Sequence, residues 1–138
     1  MIEAKLSGRK HIEIWGDGTQ TRSFTYVDDC VVGTRLIAQS VISEPLNLGS
    51  IEQVTINQLV SITEEIAEIR LRRQYNLYAP RGVSGRNSDN TKIRQDPNWE
   101  PSICLRKGLE YTYRWIEDEM KSRSRMPDGA LRERYFIA

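Results

Sequence analysis

The chain has 138 residues, 28% of them charged, and its formal net charge of +1 leaves basic and acidic side chains nearly balanced. That length fits one domain that buries roughly 70% of its unfolded surface, and the charge balance argues against a nucleic-acid or membrane binder. No apolar run approaches the ~20 residues of a transmembrane helix and no signal peptide opens the chain, so we expect a cytoplasmic protein.

The N-terminal region predicts two strands and a helix. Residues 11–15 alternate apolar and polar side chains, which indicates a half-buried strand, and the glycine turn at 16–18 ends it. Residues 23–27 form a second β-rich run. Asp28 is then the predicted N-cap of a helix that runs to about Gln39. The side chains expected on its inner face are Val32, Leu36 and Ile37.

The middle of the chain predicts two short strands around a capped helix. Residues 46–48 are typical of a short strand, and Thr55 with Gln58 forms a capping box at the start of the next helix. The apolar stripe expected along that helix is Leu59, Ile62, Ile66 and Ile69. A further strand is predicted at residues 74–78. The polar, glycine-punctuated loop at 81–90 is typical of a binding site.

The last third predicts two helices and a tail. Asp89 can cap a short helix through Arg94, and helical spacing from Leu105 to Met120 predicts a long amphipathic helix. The chain then turns basic, so we divide it into a binding domain at residues 1–122 and a basic tail at 123–138. Two cysteines, Cys30 and Cys104, belong to no paired or metal-binding motif and are predicted to be free thiols in or near the core.

Four segments, in order, resemble one known family. They are WGDGTQTRSFTYVDD (15–29), PLNLGS with VTINQLV (45–60), GVSGRNSDNTKIRQDPNWEP (82–101) and LRKGLEYTYRWIEDE (105–119). This order resembles the substrate-binding half of the extended short-chain dehydrogenase/reductase family, the NAD-dependent nucleotide-sugar epimerases and dehydratases. The pairing of the first segment with GRNSDN is similar to the GDP-mannose 3,5-epimerases of that family.

The resemblance implies a fold and a set of contacts. The expected fold is α/β with an α+β-like character: short strands and three main helices, without the family's Rossmann domain. Gln20, Thr21 and Arg22 would line the diphosphate and sugar side of a GDP-sugar, and Arg86 would clamp the pyrophosphate. The remaining implied roles are loop positioning for Asn87, Ser88 and Asp89, a further substrate contact for Lys5, and a sugar or base surface for Trp15.

The residue types agree with these roles, although each has a simpler alternative. A diphosphate needs at least two cationic donors, and the planar guanidinium group matches phosphate oxygens in a bidentate manner. Gly85 beside Arg86 would let the backbone approach a ligand closely. Alternatively, Arg22 forms a surface salt bridge with Asp17 or Asp28, Arg86 is a solvated loop arginine, and Trp15 packs in the interior.

The catalytic half of the family pattern is missing. The sequence has no G-x-G-x-x-G fingerprint for NAD and no Tyr-x-x-x-Lys pair, and it has no metal-ligand cluster. We therefore expect this chain to bind no cofactor and to be inactive alone. It would be the C-terminal portion of such an enzyme, either a truncated product, a split or decayed gene, or a deliberately made fragment.

Loss of that half would leave apolar surface exposed. Such surface usually finds a partner, so we expect a homo-oligomer or a separate Rossmann-domain partner. The alternative is a stand-alone, non-catalytic nucleotide-binding or protein-interaction module. A nucleic-acid contact through the basic tail is the least supported interpretation, and we predict no nucleic-acid or membrane partner.

Overall fold

A computed structural model describes residues 1–123, which form a mixed α/β arrangement of short strands and helices. The fold class is therefore the one predicted. The helices are α1 (Ile2–Ser7), α2 (Val27–Gln39), α3 (Ile56–Ala67), α4 (Thr91–Gln95) and α5 (Leu105–Arg123). The strands are β1 (His11–Trp15), β2 (Thr21–Ser23), β3 (Gln53–Thr55), β4 (Arg72–Asn76) and β5 (Gly85–Arg86). Apart from Arg123, the predicted basic tail lies outside the described residues, and the proposed domain division stays a prediction.

The first sheet pairs β1 with β4 in parallel, from His11 opposite Arg72 to Trp15 opposite Asn76. The predicted first strand is confirmed, and Ile14 is its buried side chain. The β4 strand begins and ends two residues earlier than the predicted 74–78. Gly16 and Gly18, with φ of 79° and 74°, then reverse the chain in the left-handed region that glycine tolerates.

The second sheet has three strands in the order β3-β2-β5. Its central strand, β2, pairs antiparallel with β3 and parallel with β5. The β5 pairing sets Thr21 opposite Gly85 and Arg22 opposite Arg86. The β2 strand ends at Ser23, so the prediction of a strand across residues 23–27 was wrong for all but its first residue. This sheet joins the two arginine-bearing segments of the chain.

The start of α2 differs from the prediction, because Tyr26 and not Asp28 is the N-cap residue. Asp28 and Asp29 both lie in the first turn. Asp29 is buried and accepts hydrogen bonds from the backbone N–H groups of Ser102 (3.0 Å) and Ile103 (2.9 Å), and from the Ser102 hydroxyl (2.8 Å). Its carboxylate therefore fastens the first turn of α2 to the segment that precedes α5.

Two further predictions about this region were wrong. Val32 is exposed, and the buried residues of α2 are Asp29 and Gly33. At position 33 the Cβ of any other residue would lie 2.6 Å from Leu48 Cδ1. Residues 46–48 form no strand. Residues 46–48 are instead packed against α2 through the contact between Leu48 and Gly33.

The core lies between α1, α3 and α5. The predicted capping box is present at α3: Thr55 Oγ1 accepts from the Gln58 backbone, and the Gln58 side chain accepts from the Thr55 N–H. The buried residues of α3 are Val60, Glu64 and Ala67. The residues of the predicted stripe, Leu59, Ile62, Ile66 and Ile69, are half-buried, and Ile66 and Ile69 pack against the core. Glu64 is tolerated inside because its carboxylate accepts hydrogen bonds from Leu71 N–H, Arg70 and Arg73.

The described residues, 1–123, can be searched for membrane-spanning helices, metal-binding clusters and paired cysteines. In this part of the chain no helix has the length and apolar character that crossing a bilayer requires. The same residues contain no cluster of three or more histidine, cysteine or acidic side chains placed to hold a metal ion. Cys30 and Cys104 are free, but both are exposed, so their predicted place in or near the core was wrong.

Candidate functional site

A polar cleft of about 490 Å³ opens beside the three-stranded sheet. It is formed where β2 and the residues that follow it meet the segment at 47–49 and the loop at 86–88. Its lining residues are Arg22, Ser23, Thr25, Asn47, Leu48, Gly49, Arg86, Asn87 and Ser88. The lining contains two cations, several neutral hydrogen-bonding groups and no carboxylate, which is a composition suited to an anion.

Arg22 and Arg86 face this cleft together because they are directly paired across β2 and β5. Arg22 is half-buried, and its guanidinium donates to the carbonyl oxygens of Thr21 (2.6 Å) and Arg81 (3.2 Å). The alternative of an Arg22 salt bridge to Asp17 or Asp28 was wrong, because Arg22 forms no ion pair within residues 1–123 and Asp17 pairs with Arg81 at 3.5 Å. Backbone carbonyls thus orient Arg22 without neutralising its charge.

Arg86 is exposed, and within residues 1–123 its side chain makes no hydrogen bond or ion pair. Its guanidinium group is therefore available to a ligand. The same observation suits the simpler alternative of a solvated loop arginine. What distinguishes Arg86 from an ordinary surface residue is its place in the cleft opposite Arg22.

The loop that carries Arg86 is held by polar side chains that follow it. Ser88 Oγ donates to Asn90 Oδ1 at 2.6 Å, and Asn90 Nδ2 donates to the Gly49 carbonyl at 2.8 Å. The N-cap residue of α4 is Asn90, so the prediction that Asp89 caps this helix was wrong. The Asp89 carboxylate instead accepts from the Thr91 hydroxyl (2.6 Å) and backbone N–H (3.0 Å), and these two bonds lower the pKa of its carboxyl group. The short helix predicted here is confirmed, and it ends one residue later, at Gln95.

Three of the other predicted residues, Gln20, Thr21 and Trp15, do not line the cleft. Gln20 borders a smaller neighbouring cavity of about 200 Å³ and donates through Nε2 to the Trp15 carbonyl at 2.9 Å. Thr21 packs against Gly85. Trp15 is 57% exposed, so its alternative assignment to the interior was wrong.

Lys5 lies elsewhere. It is on α1, where its ammonium group pairs with Glu117 at 3.6 Å and stands 5.9 Å from the centre of the Tyr113 ring. These contacts join α1 to α5. The structure therefore does not bring Lys5 to the cleft.

Sequence reasoning did not identify several cleft residues. The lining residues that it missed are Ser23, Thr25, Asn47, Leu48 and Gly49. A weak signal existed for Gly49, because a glycine before Ser50 marked a chain reversal. No local sequence pattern predicted a role for Asn47. Its amide donates to the Asp89 carbonyl at 3.3 Å, a contact between segments that are distant in sequence.

An apolar groove of about 580 Å³ adjoins the polar cleft, and Thr25 lines both. The groove lies between the residues after β2 and the first half of α5. Its aromatic residues are Phe24, Tyr26, Tyr111 and Trp115. Trp115 is 66% exposed, which is unusual for a large aromatic side chain.

Comparison with known sequences identifies relatives of this chain. Residues 1–49 match the NAD dependent epimerase/dehydratase family. GDP-mannose 3,5-epimerase 1 of Oryza sativa subsp. indica is 42% identical over 109 residues, which are 79% of this chain and 29% of that relative. GDP-mannose 3,5-epimerase of Arabidopsis thaliana is 40% identical over 120 residues, 86% of this chain and 32% of the relative.

Solved structures show the same fold in part of a longer chain. UDP-glucose 4-epimerase of Thermotoga maritima with UDP-glucose superposes with a TM-score of 0.77 at 30% identity, over 86% of this chain and 38% of that one. UDP-glucuronic acid 4-epimerase of Bacillus cereus, in complex with UDP-glucuronic acid and NAD, gives 0.77 at 32% identity over the same shares. The chain thus spans well under half the length of the proteins it matches.

Proposed function

Because this chain is related to the NAD-dependent nucleotide-sugar epimerases and dehydratases, we propose that its polar cleft binds the diphosphate of a nucleotide sugar. A GDP-sugar is the proposed ligand, since the relatives with about 40% identity act on GDP-mannose by name. The single observation that carries the proposal is the juxtaposition of Arg22 and Arg86 in one cleft.

The cleft chemistry supports a diphosphate over a single carboxylate. A diphosphate has two charged groups joined by a bridging oxygen, and two forked guanidinium donors side by side can contact both. Arg22 is held in place by the Thr21 and Arg81 carbonyls, and so it loses little conformational freedom on binding. Arg86 is exposed and would close on the second phosphate.

Neutral donors supply the remaining contacts in this proposal. Asn87, Ser88 and Asn47 surround the arginines and can donate to phosphate or sugar oxygens. Gln20 lines the smaller cavity of about 200 Å³, where the sugar side of the ligand would lie in this proposal. Thr21 is its neighbour on β2 and packs against Gly85. Trp15 offers an exposed ring at the end of β1.

The residues present do not fit NAD. In dinucleotide-binding folds the glycine-rich turn leads from a strand into a helix whose N-terminus receives the pyrophosphate. Here the glycine turn at 16–18 leads from β1 into β2, and α2 begins only later, at Val27. We therefore propose that these 138 residues bind a nucleotide sugar but do not turn it over alone.

The apolar groove supports a second proposal, that this chain associates with a protein partner. It also supports the alternative function of a stand-alone interaction module. Phe24, Tyr111 and Trp115 present exposed aromatic surface, and such surface usually marks an interface. A second copy of the chain or a Rossmann-domain protein would cover it in the enzyme-related interpretation. In the alternative, the same surface serves a stand-alone nucleotide-binding or protein-interaction module.

Isothermal titration calorimetry with GDP-mannose, GDP and NAD tests the proposal. We expect the wild-type chain to bind GDP-mannose and GDP but not NAD. Arg86→Ala should weaken GDP-mannose binding by roughly tenfold or more, since a charge-assisted bond to phosphate is lost. Arg114→Ala on α5, which removes an arginine that does not line the cleft, is the matched control and should leave affinity unchanged.

The outcomes separate the candidate functions. Tight NAD binding would contradict the proposal that the glycine turn at 16–18 forms no dinucleotide site. If no nucleotide binds while a protein partner does, the interaction-module alternative is correct. Equal losses of affinity in Arg86→Ala and Arg114→Ala would show that general positive charge, and not the cleft, holds the ligand.

A further inference from the structure

Asn90 is a buried polar side chain that connects two walls of the cleft without lining it. It is 2% exposed, and with Ile93 it is one of the two largest fully buried side chains in the described part of the chain. Its amide donates to the Gly49 carbonyl at 2.8 Å and accepts from the Ser88 hydroxyl at 2.6 Å. Gly49 and Ser88 both line the cleft. A buried amide with both ends used in this way holds its two partners at a defined separation.

The two walls touch at this point. A Cβ added to Gly49 would lie 2.8 Å from Ser88 Cβ, so the segments approach as closely as a glycine permits. The Ser88 N–H donates to the Ser50 carbonyl at 3.4 Å, beside the contact. The 47–49 segment and the 86–88 loop therefore form a close contact, here called the junction, and Asn90 is hydrogen-bonded to both sides of it.

Arg86 depends on that junction, because within residues 1–123 no hydrogen bond or ion pair holds its side chain. Its position is set by its backbone, through the pairing with β2 on one side and the Ser88–Asn90 bond on the other. A binding group held by its backbone is lost to the ligand when that backbone shifts by about an ångström.

We propose that Asn90 is a positioning residue, which holds the 86–88 loop against the 47–49 segment so that Arg86 stands beside Arg22 for an anionic ligand. The inference rests on the proposed function, because it concerns the same cleft. Asn90 would thereby contribute to ligand affinity, although its own side chain does not line the cleft.

The test compares Asn90→Leu with Ile93→Val by calorimetry against GDP-mannose. Asn90→Leu keeps much of the volume of the side chain and removes both hydrogen bonds. Ile93→Val trims a similarly buried side chain on α4, the helix for which Asn90 is the N-cap residue, and leaves the junction intact. At a temperature where circular dichroism shows all proteins folded, Asn90→Leu should bind roughly tenfold more weakly, and Ile93→Val should bind like wild type.

A spectroscopic readout separates positioning from a loss of stability. The Nε–Hε resonance of Arg86 should shift on addition of GDP-mannose in wild type and in Ile93→Val, and it should shift little in Asn90→Leu. If Asn90→Leu binds as tightly as Ile93→Val, the inference is overturned. If Asn90→Leu does not fold, Gly49→Ala takes its place, since it pushes the two walls apart, and wild-type affinity in Gly49→Ala would equally overturn the inference.

The two proposals fail in different ways. No GDP-mannose binding by the wild-type chain overturns the proposed function and this inference with it. Wild-type binding together with full binding by Asn90→Leu overturns only the role of Asn90.

Discussion

Thr21 and Gly85 face each other so closely that a Cβ on Gly85 would lie 2.6 Å from Thr21 Oγ1. The next pair along the same two strands is Arg22 and Arg86. The absence of a side chain at Gly85 therefore allows the approach of β5 to β2 that places both arginines in one cleft. A glycine at position 85 is thus a steric requirement for the pairing of these two segments, which are distant in sequence.

Gly85→Ala should lower the free energy of unfolding by about 1–3 kcal/mol, because the new methyl group overlaps Thr21 Oγ1 and forces the strands apart. Chemical denaturation measures the change. The double variant Thr21→Ala/Gly85→Ala removes the overlapping oxygen and should recover most of the loss. Additive losses in the double-mutant cycle would contradict the proposed clash.

Asp29→Asn should destabilise the protein by about 1–3 kcal/mol at pH 7, since three donors from Ser102 and Ile103 lose their carboxylate. Burial alone raises the pKa of Asp29, but the hydrogen bonds from the Ile103 N–H, the Ser102 N–H and the Ser102 hydroxyl outweigh it, and the net pKa is lowered.

That lowered pKa sets the pH dependence of the effect. A carboxyl group with a depressed folded-state pKa contributes its full stability above its unfolded value of about 3.9, and the contribution is lost as pH falls through the folded-state pKa. The difference in unfolding free energy between wild type and Asp29→Asn should therefore shrink in acid. Asp28→Asn, at the neighbouring exposed carboxylate, is the control and should change stability little. A difference that stays constant down to pH 2 would refute the assignment.

Thr55→Ala should cost about 1 kcal/mol of stability, because the capping box satisfies two backbone N–H groups at the start of α3. Thermal unfolding of the purified chain measures it. Thr63→Ala removes a hydroxyl from the interior of the same helix, where it only donates to the Leu59 carbonyl, and should be neutral or slightly stabilising. Equal losses in both variants would argue against a specific capping role.

Self-association should depend on the apolar groove. We expect light scattering at high micromolar concentration to show a dimer or higher oligomer, and Trp115→Glu to shift it towards monomer, because Trp115 is 66% exposed in a groove with other aromatic residues. Tyr78→Glu is a suitable control, since Tyr78 is fully exposed outside that groove. A strictly monomeric wild-type chain at these concentrations would contradict the prediction.

Features that depend on neighbouring residues could be predicted well. The strand at 11–15, the Thr55–Gln58 capping box and the long helix from Leu105 all follow from periodicity and capping chemistry within a few residues. The start of α2 was misassigned although its sequence is favourable for capping. With Tyr26 as the N-cap residue, Asp29 lies in the first turn and accepts from Ser102 and Ile103, a contact between distant segments that no local pattern around Asp28 predicts.

By itself, then, the sequence determined the fold class, the main helices and the family to which the chain is related, because these depend on residue patterns along the chain. Only the tertiary structure decided which groups share the cleft. The register of β2 with β5, the closeness of Gly49 to Ser88 and the role of Asn90 between them arise from packing between distant segments. Such contacts depend on the summed packing of the whole core, and no local pattern encodes them.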